Sequence, residues 1–144
     1  ESLMLTDPEA TIVKMHAVRA LGFHLSLDDF GTGYSSLAYL ARFPFDEVKI
    51  DRSFICQLGL DRTADAIVEA IIVLGHAIDL QTIAEGVETD AQAAAVLRLG
   101  CDQIQGYLTG RPMPARDIEQ RLRAQARPRV TSADDGRQTL SVPA

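Results

Sequence analysis

Segments patterned like strands alternate with segments of helical spacing along this chain, and the links between them are short. Residues 23–29, 47–51, 81–87 and 101–107 carry apolar runs or alternation, and residues 6–21, 35–42, 63–79, 89–100 and 115–126 carry helical periodicity. Strands joined through helices by short links run parallel with the helices packed over the sheet, so the pattern predicts an α/β fold. Local signals punctuate the elements. Thr6 or Asp7 can cap the first helix, Pro8 fits its first turn, Glu9 can complete a capping box and Gly22 stops it. Its expected buried side holds Ile12, Val13, Ala17, Ala20 and Leu21. Thr89 and Gln92 form a second capping box, and Ile67, Val68, Ile71, Ile72 and Leu74 make the helix over 63–79 strongly apolar. In 47–51, alternation puts Lys49 and Asp51 on one face and Val48 and Ile50 on the other. Past Arg127, Pro, Ser, Asp, Gly and Arg replace any periodicity. Residues 127–144 therefore read as a disordered tail or linker, and 1–126 as one domain.

At 144 residues and 47% apolar content there is chain enough for one domain, or part of a larger one, with a sizeable core. The net charge of −6 argues against a broad grip on a nucleic-acid polymer. An anionic small molecule fits only if metal ions offset the acidic residues. Cys56 and Cys101 lie far apart with no ligand-like spacing, which predicts free thiols in a cytoplasmic protein. The longest apolar run, 70–74, is too short for a membrane span, and nothing resembles a signal peptide. The chain begins at Glu1 rather than methionine, as expected of a piece of something longer.

The chemistry concentrates in Leu25-Ser26-Leu27-Asp28-Asp29-Phe30-Gly31-Thr32-Gly33-Tyr34-Ser35-Ser36. Here an apolar run stops on two acids and enters a Gly-x-Gly turn. Paired carboxylates at a strand end suit a divalent cation, which takes oxygen ligands; a solvated Asp-Asp-Gly turn is the plainer reading. Polar residues of catalytic type end the other three strands as well: Lys49 and Asp51, then Glu85, then Gln105. In parallel α/β folds those ends face the ligand. Each has a plainer role available: an edge ion pair for Lys49 with Asp51, a helix-dipole acid for Glu85, a backbone-satisfied amide for Gln105. Four such endings together suggest metal-assisted hydrolysis. Asp28 and Asp29 would flank divalent ions, Lys49 would orient water or stabilise developing charge, and Glu85 would be a ligand or its anchor.

These blocks resemble the EAL domain family, bacterial phosphodiesterases that open cyclic di-GMP to linear pGpG. The resemblance rests on Asp28-Asp29-Phe30-Gly31-Thr32-Gly33-Tyr34-Ser35-Ser36-Leu37, Lys49-Ile50-Asp51-Arg52-Ser53-Phe54, Ala84-Glu85-Gly86-Val87-Glu88-Thr89, Gln105-Gly106-Tyr107 and Gly110-Arg111-Pro112. It runs from Glu1 to about Leu122 and implies the C-terminal half of a TIM-like (β/α) barrel, four parallel strands alternating with helices. It implies two Mg²⁺ or Mn²⁺ ions, with Asp28, Asp29 and Glu85 as metal-site acids and Lys49 holding the nucleophilic water. It also implies substrate or water contacts for Gln105 and a supporting acid in Asp51 on the substrate-binding side. Glu1 resembles the glutamate that anchors the loop after Asp29. Phe30, Gly31, Thr32 and Gly33 resemble the loop that couples dimerisation to metal binding.

The family's Glu-Ala-Leu motif, its substrate-binding arginine, its asparagine ligand and a further glutamate lie upstream of the position matching Glu1. The implied function is thus metal-dependent hydrolysis of cyclic di-GMP, completed by residues outside this chain. The alternatives are a catalytically inactive cyclic di-GMP-binding or protein-interaction module, and an unrelated α/β metallohydrolase. A half-barrel is expected to leave unpaired edges and an apolar inner face, and so to form a homo-oligomer or pair with the N-terminal half.

Overall fold

The computed structural model describes residues 7–31 and 37–125. Glu1, Thr32 and Gly33, the alternative cap Thr6 and the stretch 127–144 lie outside the described residues. The chain divides into two compact units, Glu1–Arg111 and Pro112–Ala144.

The first unit runs α1 (Pro8–Ala20), β1 (Ser26–Phe30), α2 (Leu37–Arg42), β2 (Glu47–Ile50), α3 (Arg52–Ile55), α4 (Arg62–Ala77), β3 (Gln81–Glu85), α5 (Asp90–Arg98) and β4 (Gln103–Gln105). All neighbouring strands pair in parallel, in the order β1-β2-β3-β4. In the second unit, α6 (Ala115–Gln125) carries an i,i+4 ion pair between Arg123 and Glu119 at 2.5 Å.

Two of the capping signals act where the sequence puts them, while Glu9, expected to complete a capping box at the first helix, pairs with Arg42 instead. Asp7 accepts a hydrogen bond from the Ala10 amide at 3.1 Å, and the reciprocal Thr89–Gln92 capping box opens α5. β1 starts at Ser26 rather than Phe23 and runs one residue past Asp29, whereas β2, β3 and β4 stop short of the expected Asp51, Val87 and Tyr107 because their last residues turn out of the sheet to start loops or cap helices. Asp51 is such a residue. It caps α3, a one-turn helix that periodicity does not predict, by accepting from the Ser53 amide at 2.9 Å. Lys49 and Asp51 consequently do not form the edge ion pair.

One face of the sheet is the core. Val48 and Ile50 of β2 and Thr82 and Ala84 of β3 are buried on the same side as Val68, Ile71 and Ile72 of α4 and Val96 of α5. Parallel register puts Ser26, Glu47, Lys49, Gln81, Ile83, Glu85, Gln103 and Gln105 on the other face. That face is polar apart from Ile83, which corrects the expectation of an apolar inner surface. Exposed apolar side chains lie elsewhere, at Leu60, Val73 and Leu97 and on α1 and the segment after it, where Val13, Leu21 and Phe23 are 70%, 76% and 62% exposed. The expected buried stripe of α1 is accordingly not formed. Its apolar residues are spread around the helix, and Ile12 and Met15 alone among them reach the core from within α1. Cys56 and Cys101 are both free thiols.

Candidate functional site

Adjacent residues on a regular strand point to opposite faces, so Asp28 and Asp29 cannot both face one ligand unless the strand is broken. It is. Leu27 pairs with Val48 and Phe30 with Ile50, leaving two residues of β1 opposite Lys49 alone. This bulge returns Phe30 to the core, where it is buried, and frees both aspartates from the core side. Asp29 takes a left-handed φ of 51°, a conformation that aspartate tolerates better than most side chains.

The bulge brings Asp28 and Asp29 to Glu85, two strands away. One carboxylate oxygen from each of the three lies within 4.8 Å of the others. Oxygens on opposite sides of a divalent cation bound at about 2.1–2.4 Å stand about 4.2–4.8 Å apart, so the cluster has the dimensions and the hard-donor chemistry of a Mg²⁺, Mn²⁺ or Ca²⁺ site. The donors differ in shielding, with the Asp28 side chain 64% exposed and that of Glu85 16%.

Lys49 rises between them from β2. Its Nζ donates to Asp28 Oδ1 at 2.8 Å and forms an ion pair with Glu85. Partial burial works against its charge, but the bonds to Asp28 and Glu85 outweigh burial and raise its pKa above that of free lysine. Lys49 is therefore an ammonium at neutral pH, a positive donor rather than a base.

Asp51 sits just past Lys49 and beside Asp29. The Ser53 hydroxyl, more than any other neighbour, holds its carboxyl below the usual carboxylate range, with the Ser53 and Arg52 amides and an Asp29 contact adding to the effect against partial burial. Its hydrogen-bonding capacity is largely spent on capping α3. Gln105 is exposed at the end of β4 and in register with Glu85. Gly31 is exposed at the end of β1, and Glu1, Thr32 and Gly33 lie outside the described residues. Asp28, Asp29, Lys49, Asp51, Glu85 and Gln105 thus gather at one end of the sheet.

Two features here escape sequence reading. Arg52 lies across Gly86 and pairs with Glu88 at 2.9 Å. Gly106 abuts the Val87 backbone, whose N–H donates to the Gln105 carbonyl at 3.0 Å and whose carbonyl accepts from Leu108 at 3.1 Å. A lone glycine at the end of each strand pattern is the signal that points to both.

The described part of the molecule has close counterparts. The family model described as EAL domain matches residues 1–112. The bifunctional diguanylate cyclase/cyclic di-GMP phosphodiesterase MucR of Pseudomonas aeruginosa is 51% identical over 118 residues, covering 82% of this chain and 17% of MucR. A solved complex of PaMucR phosphodiesterase with c-di-GMP superposes with a TM-score of 0.74 at 50% identity, over 80% of this chain and 47% of that one. A manganese and cyclic di-GMP complex of Klebsiella pneumoniae BlrP1 gives a TM-score of 0.69 at 32% identity, over 76% of this chain and 28% of that one. The chain therefore spans about a sixth of the curated relative and about half of the solved MucR chain.

Proposed function

This chain belongs to the EAL domain family, and from that premise we propose that its site serves the hydrolysis of cyclic di-GMP to pGpG with divalent cations held by Asp28, Asp29 and Glu85. One observation carries the reading: three carboxylates from two non-adjacent strands converge within 4.8 Å, with the Lys49 ammonium bonded to two of them. Such ions, Mg²⁺ or Mn²⁺, supply Lewis-acid polarisation of a phosphoryl oxygen and lower the pKa of nearby water.

The chain's own residues supply the rest. Lys49 keeps its charge, so it orients water through an N–H donor and stabilises negative charge developing on the phosphoryl oxygens. Glu85, the more shielded acid, anchors Lys49 from the side of β3. Gln105, exposed and level with Glu85, offers an amide to substrate or water, while Asp51 supports Asp29 from the head of α3. Phe30 and Gly31 fix the start of the loop that the family uses to couple dimerisation to metal binding, with Thr32 and Gly33 as its further residues and Glu1 as its anchor. In this reading 1–126 is the catalytic half-domain of a cytoplasmic protein and 127–144 a linker. A second copy or a complementary half pairs along the β1 or β4 edge, both outermost among the described strands.

A second reading is a module that binds cyclic di-GMP without turnover. It is favoured by the exposure of Asp28 and Gln105, which leaves these two site residues open to solvent. Purified chain incubated with cyclic di-GMP and Mn²⁺ separates the two. Release of pGpG that falls on the order of 10²-fold in Lys49→Ala and Asp28→Asn supports catalysis at this site. Binding without release supports the module. Turnover that ignores both substitutions, or neither binding nor turnover, overturns the assignment.

A further inference from the structure

Arg52 opens α3 three residues after Lys49, and its side chain crosses to the segment that follows Glu85. Gly86 has a φ of +70°, and a Cβ built there would fall 2.2 Å from Arg52 Cγ and 2.7 Å from both Cβ and Cδ. The aliphatic stem of Arg52 thus lies directly on the Gly86 backbone. Beyond it, the guanidinium reaches Glu88 Oε1 at 2.9 Å. Glu88 is itself anchored, since its amide donates to Gln92 Oε1 at 2.8 Å inside the α5 capping box. Val87, between the two, is tied to β4 through the Gln105 carbonyl at 3.0 Å. One side chain from the Lys49 side therefore straddles residues 86–88, with its stem on the first and its charge on the last.

We propose that Arg52 is a positioning residue for the metal-site acid Glu85, clamping the backbone that begins at Gly86 and so fixing where the Glu85 carboxylate stands relative to Lys49, Asp28 and Asp29. This rests on the reading of Glu85 as a metal-site acid. The stem, more than the charge, makes the clamp. The ion pair is 58% and 38% exposed at its two ends, and pairs that open contribute little. Glycine, by contrast, samples both signs of φ freely unless something holds it, and the Arg52 methylenes cover this one. A glutamate at a strand end takes its direction from the backbone on both sides, so freedom at Gly86 becomes freedom of the carboxylate.

The test uses the full chain, Mn²⁺ alone as probe, and hydrogen exchange of the Val87 and Glu88 amides. Arg52→Ala is expected to speed exchange at 87 and 88 while amides within α4 stay protected, and to weaken Mn²⁺ binding on the order of 10-fold, the range seen when a ligand's support is removed. Arg52→Lys and Arg52→Met keep the stem and are expected to hold Mn²⁺ affinity within about threefold of the parent. Unchanged exchange at 87 and 88 in Arg52→Ala overturns the clamp. Faster exchange with Mn²⁺ affinity intact overturns its positioning role. Equal losses in Arg52→Met and Arg52→Ala overturn the assignment to the stem. Absence of Mn²⁺ binding by the parent chain, with exchange altered as expected, overturns the metal-site reading and leaves the clamp itself standing.

Discussion

Replacing Lys49 by methionine keeps the stem and removes the ammonium that joins the acidic cluster. Two interactions are lost, of unequal worth. The bond to Asp28 at 2.8 Å ends on a side chain 64% exposed, so it contributes about 0.5 kcal/mol. The pair with Glu85 joins side chains only 18% and 16% exposed, and a charge-assisted contact so shielded contributes about 1.5–3 kcal/mol. The repulsion among the three carboxylates within 4.8 Å, about 3.5 kcal/mol per pair at an effective dielectric near 20 and much less where water reaches Asp28 and Asp29, is then no longer offset. A net destabilisation of at least about 2–3.5 kcal/mol at neutral pH follows for the metal-free chain. The same loss removes the cation that competes with a metal for Asp28 and Glu85. Mn²⁺ is therefore expected to bind Lys49→Met more tightly, on the order of 10-fold, and to restore more stability to it than it adds to the parent. Turnover of cyclic di-GMP falls in the same variant. Urea unfolding followed by circular dichroism, with and without Mn²⁺, reads both effects. A metal-free variant as stable as the parent, or one that gains no more from Mn²⁺, would refute this account of the cluster.

Gly106→Ala places a Cβ 2.1 Å from the Val87 carbonyl oxygen and 2.4 Å from its nitrogen, where only backbone can yield. A stability loss of about 1–3 kcal/mol is expected from such overpacking, and a change below about 0.5 kcal/mol in urea unfolding would show that the contact is relaxed at no cost. Asp102 accepts from the Thr82 amide at 2.7 Å and hydroxyl at 2.8 Å and meets His76 Nε2 at 2.9 Å. Burial raises its pKa, yet these bonds prevail and leave it below the ordinary carboxylate value. A carboxyl depressed in the folded state adds stability that is fully present above its unfolded pKa of about 3.9 and is lost as pH falls through the folded value. Asp102→Asn should therefore be less stable than the parent by about 1–2 kcal/mol at pH 7, with the gap closing below about pH 4; a gap constant with pH would contradict this.

Much of the scaffold is legible in the chain because its signals are local. Asp7 with Pro8, the Thr89–Gln92 box and the apolar run around Val68, Ile71 and Ile72 each act within one or two turns, and each appears in place. Alternation in β2 correctly separates Lys49 from Val48 and Ile50. The reading fails where residues answer to distant neighbours. Val13 in α1 and Leu21 just past it are apolar but find nothing to cover them, and Asp51 is drawn out of the strand by Ser53. Arg52 and Gly86 are thirty-four positions apart, and no periodicity links them.

The amino-acid order alone determined that four parallel strands would end in Asp28-Asp29, Lys49-Asp51, Glu85 and Gln105, because period and capping are properties of contiguous residues. Whether two consecutive aspartates could serve one site was decided only by the pairing of β1 with β2. Phe30 is buried in the core and Leu27 packs against it, the parallel register allows one residue between their partners Val48 and Ile50, and the surplus residue must bulge. That surplus turns Asp29 toward the acids, and a mismatch of one residue between neighbouring strands is a relation that no single stretch of sequence contains.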